Sequence, residues 1–533
     1  QEKQKWFLKA RSFRSDPVKL AEARKMMVEY AEVGIVWEFT SDFDDVLIAT
    51  GNLVIAGGMN QVVALDRSNG QKVWEQTVTG NVRGLAVSNG LLTVSTDEGH
   101  IYAFSKAAQA QQVVQHWPEP FSPPFADDEL TDLYRTAAKE IVQRSGQQTG
   151  FCLVIGSEQG RLAYELARQT KLNVIGVEPD PAKATQSRRA LERAGVHASQ
   201  VTIVNVPLDE LPFSNYFANL IVSDAQLLTG KFPCEPEVIA RHLKPCGGVA
   251  IFGRPAAQQP PQNASSDESV TQWLTELYYK DEGEVITDAP WFMMRRGQLA
   301  GAGSWSHQYG NVANTSYTED YRIRDGLGVL WYGDPGPSAM VNRHEAAGAP
   351  LSTNGRMFIQ GTDRLMAYDA YNGTFLWDYE NPGAIRTGVF NNRETHNLAA
   401  SDDLLYAAAL NKCVALDAAT GTVVAEYTTP ESSDGIARAW AYLAYDDDQL
   451  FGTSTIREEL EARMRRRGLT VKSQTDAVFA VDVRTGKRIW TYRGENLLHT
   501  TIAIGPQRVY FIESSLSPEQ RQQLYLQDKK ELK

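Results

Sequence analysis

Four times along this chain a short apolar strand ends in aspartate, two residues intervene, and Asn-Gly or Thr-Gly opens a second strand. The copies are Val62-Val63-Ala64-Leu65-Asp66 with Asn69-Gly70 and Trp74, and Leu365-Met366-Ala367-Tyr368-Asp369 with Asn372-Gly373 and Trp377. They continue with Cys413-Val414-Ala415-Leu416-Asp417, Thr420-Gly421 and, where tryptophan is expected, Ala425. The last is Val478-Phe479-Ala480-Val481-Asp482 with Thr485-Gly486 and Trp490. Aspartate to glycine is always four residues, and aspartate to the aromatic position always eight. An aspartate can accept backbone amides inside a tight turn, and a glycine supplies the positive φ such a turn needs. The alternating apolar residues on either side make half-buried strands. Another strand pair precedes the motif, as in Leu85-Ala86-Val87-Ser88-Asn89-Gly90-Leu91-Leu92-Thr93-Val94. A unit of four strands repeating every ~40–50 residues predicts the blade of a β-propeller, with the tryptophan packing one sheet on the next.

The motif resembles the quinoprotein-like (PQQ-like) propeller repeat, the blade of pyrroloquinoline-quinone dehydrogenases and of an outer-membrane assembly lipoprotein. The resemblance covers about residues 37–104 and 328–515. The dehydrogenases of that family use an adjacent cysteine pair near their cofactor. The four cysteines here, Cys152, Cys234, Cys246 and Cys413, are nowhere adjacent, so no bound quinone is expected. They form no CxxC pair either, and neither a zinc nor a redox site is signalled. Arg83, His396 and His499 each begin the strand expected nearest the propeller axis. They are a candidate axial site for an anion or a metal, against the plainer reading of separate polar residues at strand starts. His344 lies out of that register, and the segment Trp305–Asn311 is expected to pack structurally between insert and propeller.

The repeat breaks at Gly99-His100-Ile101-Tyr102-Ala103-Phe104-Ser105, where serine replaces the aspartate, and its continuation is expected at Gly328-Val329-Leu330-Trp331-Tyr332. A hairpin tip is exposed and its ends lie close together, so a whole domain can be inserted there. The reading is a first part of the propeller with an N-terminal helix over 1–105, a Pro-rich linker over 106–126, an inserted α/β domain over 127–300, a connector over 301–327, and further blades over 328–533. Helices are expected at 17–33, 457–467 and 517–533, and an outer strand at Ile35–Phe39.

Within 127–300 strands and helices alternate, which predicts a doubly wound, mostly parallel sheet. The apolar strand Phe151–Ile155 leads into Gly156-Ser157-Glu158-Gln159-Gly160 and a helix; the next strand, Asn173–Val177, is closed by Glu178. A glycine turn after a first strand lets backbone approach a ligand, and an acid closing the second strand is placed to bond ribose hydroxyls. With the turn Leu243-Lys244-Pro245-Cys246-Gly247-Gly248, this resembles the class I S-adenosylmethionine methyltransferase pattern over about 120 residues. The resemblance implies that Gly156, Ser157, Glu158 and Gly160 cradle the methionine part of the cofactor and Glu178 holds the ribose. Pro179 and Asp180 would border the adenine, Val206, Pro207 and Leu208 would wall the pocket, and Asp224 and Gln226 would face the methyl acceptor. The sequence departs from the pattern in four places: Val154 stands where an acid usually precedes the loop, and Glu158 replaces its middle glycine. Asn205-Val206-Pro207 offers no adenine-facing acid, and Phe217-Ala218-Asn219 replaces Phe-Asp. No catalytic base stands out; methyl transfer needs chiefly alignment.

The charge balance narrows the function classes. A net charge of −12 lacks the basic excess that gripping nucleic acid requires. The one dense basic run, Arg463–Arg467, follows Glu458, Glu459 and Glu461 and reads as a solvated mixed-charge helix. No apolar run reaches the ~18 residues of a membrane span. The chain begins at Gln1, which reads as a processed piece of a longer protein. Two readings lead: a methyltransferase domain displayed on a recognition propeller, and a non-catalytic cell-envelope interaction scaffold with a degenerate insert. A quinone-linked dehydrogenase is the weaker third. The propeller type leans towards the periplasm, whereas an active methyltransferase would need the cytoplasm, where its cofactor is made.

Overall fold

The computed structural model describes residues 5–6, 9, 16–29, 35–41, 43, 45–106, 123–258, 261–276, 282–324, 326–334, 340–341, 348–383, 397–432, 435–456, 475–495, 497–517, 520 and 523–524. They fall into two compact units, residues 1–118 and 119–533. His344 and His396, the expected helix 457–467, and most of the expected linker and C-terminal helix lie outside the described residues.

The first unit carries helix α1 (Pro17–Glu29), started by Asp16, and a sheet of β1 (Val46–Ala49), β2 (Leu53–Asp66), β3 (Lys72–Ser88), β4 (Leu91–Thr96) and β5 (Ile101–Ser105) in sequential order. β2 and β3 are long because each passes through one residue of positive φ, Asn60 and Gly80, and changes partner there. Residues 54–57 of β2 pair with β1 and residues 61–65 with β3; the far half of β3 pairs with β4. Arg83, on β3, is committed to Asp45 at 2.9 Å and Asp97 at 3.3 Å.

The second unit opens on the α/β domain. Its elements are α2 (Thr131–Ser145), β6 (Thr149–Ile155), α3 (Arg161–Gln169), β7 (Lys171–Val177), α4 (Pro181–Arg193), β8 (Val201–Val204), β9 (Leu220–Ser223), α5 (Asp224–Thr229), α6 (Pro236–His242), β10 (Val249–Gly253), α7 (Asp267–Glu276), β11 (Gly283–Asp288) and β12 (Trp291–Arg296). The sheet order is β11-β12-β10-β9-β6-β7-β8. β6 through β10 run parallel, and β12 enters antiparallel beside β10. The chain winds outward from β6 through β7 to β8, then crosses back to β9 and β10, so the winding reverses between β6 and β9. The central strands are buried on both faces: Cys152 and Val154 join Leu162, Leu166 and Leu191, while Leu153 and Ile155 join Ile239, Trp273 and Leu274. That double burial is why they read as unbroken apolar runs rather than alternating ones.

Blades follow. β13 (Leu351–Thr353), β14 (Arg356–Gly361), β15 (Arg364–Asp369) and β16 (Phe375–Glu380) form one antiparallel sheet. β17 (Leu398–Ala400), β18 (Leu404–Ala409), β19 (Lys412–Asp417) and β20 (Val423–Thr428) form the next. A third is built from β21 (Ala439–Asp446), β22 (Gln449–Thr455), β23 (Thr475–Asp482) and β24 (Arg488–Arg493), and β25 (Leu497–Gly505) pairs with β26 (Arg508–Glu513). In every motif copy the ladder bulges directly after the motif alanine (Ala64, Ala367, Ala415, Ala480), and each alanine faces the aromatic position of the next strand. The small side chain leaves room for the indole beside it.

The turn itself is a socket. Trp37 donates its indole N–H to the Arg67 carbonyl at 2.8 Å, Trp331 to Ala370 at 3.0 Å and Trp377 to Ala418 at 3.1 Å. In each case the acceptor is the residue after the motif aspartate. The same indoles lie so close to Gly70, Gly373 and Gly421 that an added Cβ would stand 2.3–2.6 Å from ring carbon. Where Ala425 replaces tryptophan, no described residue lies within 4 Å of a Cβ on Gly486, and Tyr427 instead donates its hydroxyl to the equivalent carbonyl, Val483, at 2.9 Å. Neither 35–39 nor 328–332 is a strand, contrary to expectation. Neither has a ladder partner among the described residues of its own unit, yet each presents its tryptophan to the next turn.

The connector after the α/β domain works as a strap. Trp305 bridges to Ser352 of β13 and His307 to Ala399 of β17. The Nε2 of His307 accepts the Tyr445 amide of β21 at 3.1 Å, and Asn314 donates to the Ile502 carbonyl of β25 at 2.6 Å. Ten residues thereby reach the first strands of four successive sheets.

Candidate cofactor-binding site

In an open α/β sheet, ligands sit beyond the carboxyl ends of the strands where the winding reverses. Here that point lies between β6 and β9, and three of its sequence-chosen groups meet there. The loop Gly156–Gly160 leaves β6 with positive φ at Gly156, Glu158 and Gly160. Glu178 closes β7 on one side, and Asp224 follows β9 on the other. The register places Ile155 opposite Ser223, so Gly156 and Asp224 are neighbours across the strand ends, tied by the Ala225 amide donating to the Gly156 carbonyl at 2.9 Å.

The loop is held from within. Ser157 donates its amide to Val177 at 2.8 Å, and its side chain turns inward onto Gly176. The Glu178 carboxylate is buried and accepts the Glu158 amide at 2.7 Å and the Asp180 amide at 3.0 Å. Burial raises its pKa, against the pull of those two amides. Two oxygens carry about four lone pairs, so each keeps one for a further donor. The Glu158 side chain, at the position of the usual middle glycine, pairs with Lys183 of α4.

Other chosen residues have local duties. The Asp180 carboxylate caps α4 by accepting the Ala182 amide at 2.8 Å. Pro179 offers its carbonyl to the Asn205 amide group, which also bonds the Glu178 carbonyl. Val206 and Leu208 pack at the edge of the core shared with Leu153 and Ile155, while Pro207 is exposed. Gln226 spends its carbonyl oxygen on the Gly253 amide at 3.0 Å, linking the ends of β9 and β10. His499 belongs to β25, and nothing of its side chain is described.

Two residues were not singled out from sequence. Tyr134, on α2, donates its hydroxyl to Asp224 at 2.7 Å. Arg161, first residue of α3, binds Asp128 through both terminal nitrogens at 2.7 and 2.6 Å. Both line a cavity of about 580 Å³ between α2, α3 and Pro123–Asp127. Asp224 is completely buried, and burial pushes its carboxyl up to about 8. Around the loop, Ser157 Oγ, Arg161 Nε and Asp224 Oδ2 are buried and have no hydrogen-bond partner in good geometry among the described residues.

Residues 25–168 and 339–455 match a family model described as outer membrane protein assembly factor BamB. No curated protein matches the chain. Among similar solved structures is an S-adenosylmethionine-dependent methyltransferase from Aquifex aeolicus, at 14% identity over 32% of this chain and 93% of that one, TM-score 0.26. BamB from Moraxella catarrhalis is similar at 14% identity over 28% of this chain and 41% of that one, TM-score 0.20. Quinohemoprotein alcohol dehydrogenase from Comamonas testosteroni follows at 18% over 36% and 27%, TM-score 0.25. Residues 25–168 and 339–455 are thus similar to that propeller-repeat family, and the sheet of β6–β12 is a doubly wound, mostly parallel α/β domain.

Proposed function

We propose that the α/β domain binds S-adenosylmethionine at the carboxyl ends of β6, β7 and β9, and that the propeller blades serve as a recognition scaffold for a protein partner or methyl acceptor. The observation that carries this is the convergence of a left-handed loop with acids on both flanking strand ends, leaving buried polar atoms without partners. Such atoms are rare in folded proteins and each calls for an account; a ligand is one. The residues fit the group: Glu178 keeps lone pairs for two ribose hydroxyls, and Asp224 has an oxygen free for a cation. When bound, the cofactor supplies a methyl group activated on a sulfonium. The chain's part is to orient it, by the loop held between Val177 and Ala225 and the carboxylate of Glu178.

The test is calorimetric titration of the protein with S-adenosylmethionine. Micromolar binding is expected, weakened at least tenfold by Glu178→Ala, which removes two bonds of a charged acceptor. A folded protein that takes up nothing at millimolar ligand would overturn the reading. It would favour the second one, an envelope interaction scaffold, for which the Glu158–Lys183 pair inside the loop speaks. The BamB-like match supports an envelope setting, and no helix among the described residues is long and apolar enough to cross a membrane. The acidic charge supports a protein partner over nucleic acid.

A further inference from the structure

The strand that usually brings an acid to this loop brings none: Val154 is buried in the apolar core against Leu162 and Leu166. A carboxylate nevertheless reaches the same place from the neighbouring strand. Asp224 stands across from Gly156 at the end of β9, wholly buried, fixed by the Tyr134 hydroxyl on one oxygen; the Leu162 amide approaches the carboxyl, and among the described residues Oδ2 has no hydrogen-bond partner in good geometry. Resting on the cofactor reading above, we infer that Asp224, held by Tyr134, is the counter-ion that takes a cation of the bound S-adenosylmethionine in place of the acid missing at Val154.

The surroundings explain why the free oxygen persists. Facing Asp224 are Tyr134 from α2, Glu158 from the loop, Glu178 from the end of β7, and the backbone amide of Leu162 in the first turn of α3. Arg161 lies near Tyr134 but is committed to Asp128. Burial first, with Glu158 and Glu178 adding to it, pushes the carboxyl up to about 8 against the pull of the Tyr134 hydroxyl and the Leu162 amide, so at pH 7 it is mostly protonated. An incoming ammonium or sulfonium reverses that balance, because an opposite charge within a few ångströms favours the ionised form. The O–H bond of the Asp224 carboxyl breaks, the proton passes to the buffer, and the carboxylate keeps the electron pair facing the cation. Cofactor binding is thereby coupled to release of a proton.

The experiment is titration of the whole chain with S-adenosylmethionine, and separately with S-adenosylhomocysteine, at pH 7 in buffers of different ionisation enthalpy. The wild type is expected to release nearly one proton per ligand. Asp224→Asn, close to the protonated acid in shape, should release none and bind at least tenfold more weakly, with its cooperative thermal transition intact. Tyr134→Phe keeps the acid and should still release the proton. Weakening for both ligands assigns the ammonium, and weakening for S-adenosylmethionine alone assigns the sulfonium; either supports the inference. Wild-type binding with no proton released, matched by an unchanged Asp224→Asn, overturns the counter-ion and leaves the cofactor reading standing. No binding by the wild type overturns both.

Discussion

A buried acid has a cost that pH exposes. The folded Asp224 carboxyl titrates at about 8, well above an unfolded aspartate near 4. Between those values the folded chain holds a proton that the unfolded chain has given up. Stability from this group is thus fully present below about pH 4 and is lost as pH rises towards 8, at up to ~1.4 kcal/mol per unit. Asp224→Asn should remove that slope, so denaturant unfolding of the ligand-free protein should favour the variant increasingly from pH 5 to pH 8. Parallel pH profiles for the two proteins would contradict the assignment. The turn socket makes a second residue-scale prediction. Gly421 and Gly486 share a positive φ, but only Gly421 lies under an indole. Gly421→Ala should cost ~1–3 kcal/mol more in thermal stability than Gly486→Ala, the usual penalty of overpacking. Equal losses would mean that strain at φ, not the indole, sets the residue. Sequence spacing showed where glycine and tryptophan recur but not that they touch each other across neighbouring blades. Nor did it show that Tyr427 restores the bond lost at Ala425, since that contact spans 56 residues. Asp224 was legible as lying past a strand; Tyr134 was not, because one tyrosine on an amphipathic helix carries no signal of a partner 90 residues away.

At the scale of elements, one of the four turns differs from the rest. Asp66, Asp417 and Asp482 are partly exposed, and hydrogen bonds within their turns hold their carboxyls below the usual range. The turn at Asp369–Gly373 is instead buried against the α/β domain. Lys244 meets Asp369 at 2.7 Å, and Asn372 donates to the Phe217 carbonyl and to Asn219 Oδ1, each at 2.8 Å. Asn219 also accepts the Phe151 amide at 3.0 Å, which gives that departure from the family pattern a purpose. Lys244→Met would leave the Asp369 carboxylate buried without its cation, a loss of ~3–5 kcal/mol. Lys244→Met with Asp369→Leu should recover most of it in thermal unfolding; a double variant as unstable as the single would show that the pair is not what the site needs. The strands and helices of the α/β domain were readable up to β10 from apolar runs, Gly turns and periodicity. The closing pair β11 and β12 was not, because its residues follow a polar loop and its pairing with β10 is antiparallel. The docking of the Asp369 turn was invisible too, since Lys244 and Asp369 look like ordinary turn residues until the fold joins them.

Across the whole molecule, repeat sheets, strap and α/β domain each rest on local physics of a different kind. The blades need tryptophan sockets. The α/β domain needs apolar strands buried on both faces. The strap needs only the backbone and a few polar side chains, His307 foremost, whose Nε2 takes the Tyr445 amide. His307→Ala should therefore lower thermal stability by ~1 kcal/mol without touching ligand uptake, because it leaves a half-buried amide unpaired far along the chain from the Gly156 loop. The repeat architecture was legible because four copies keep one spacing, and the loop, Glu178 and Asp224 were legible from the order of strands and turns; the Tyr134 contact was not, because α2 and the end of β9 meet only in the folded sheet. The winding reversal between β6 and β9 is proposed as the cofactor site. A crystal structure of the protein grown with S-adenosylhomocysteine tests it most directly. Ligand density is expected over Gly156–Gly160, with ribose hydroxyls on Glu178 and the amino-acid end towards Asp224. Well-ordered crystals with that loop bare at millimolar ligand, or with ligand bound elsewhere, would contradict it.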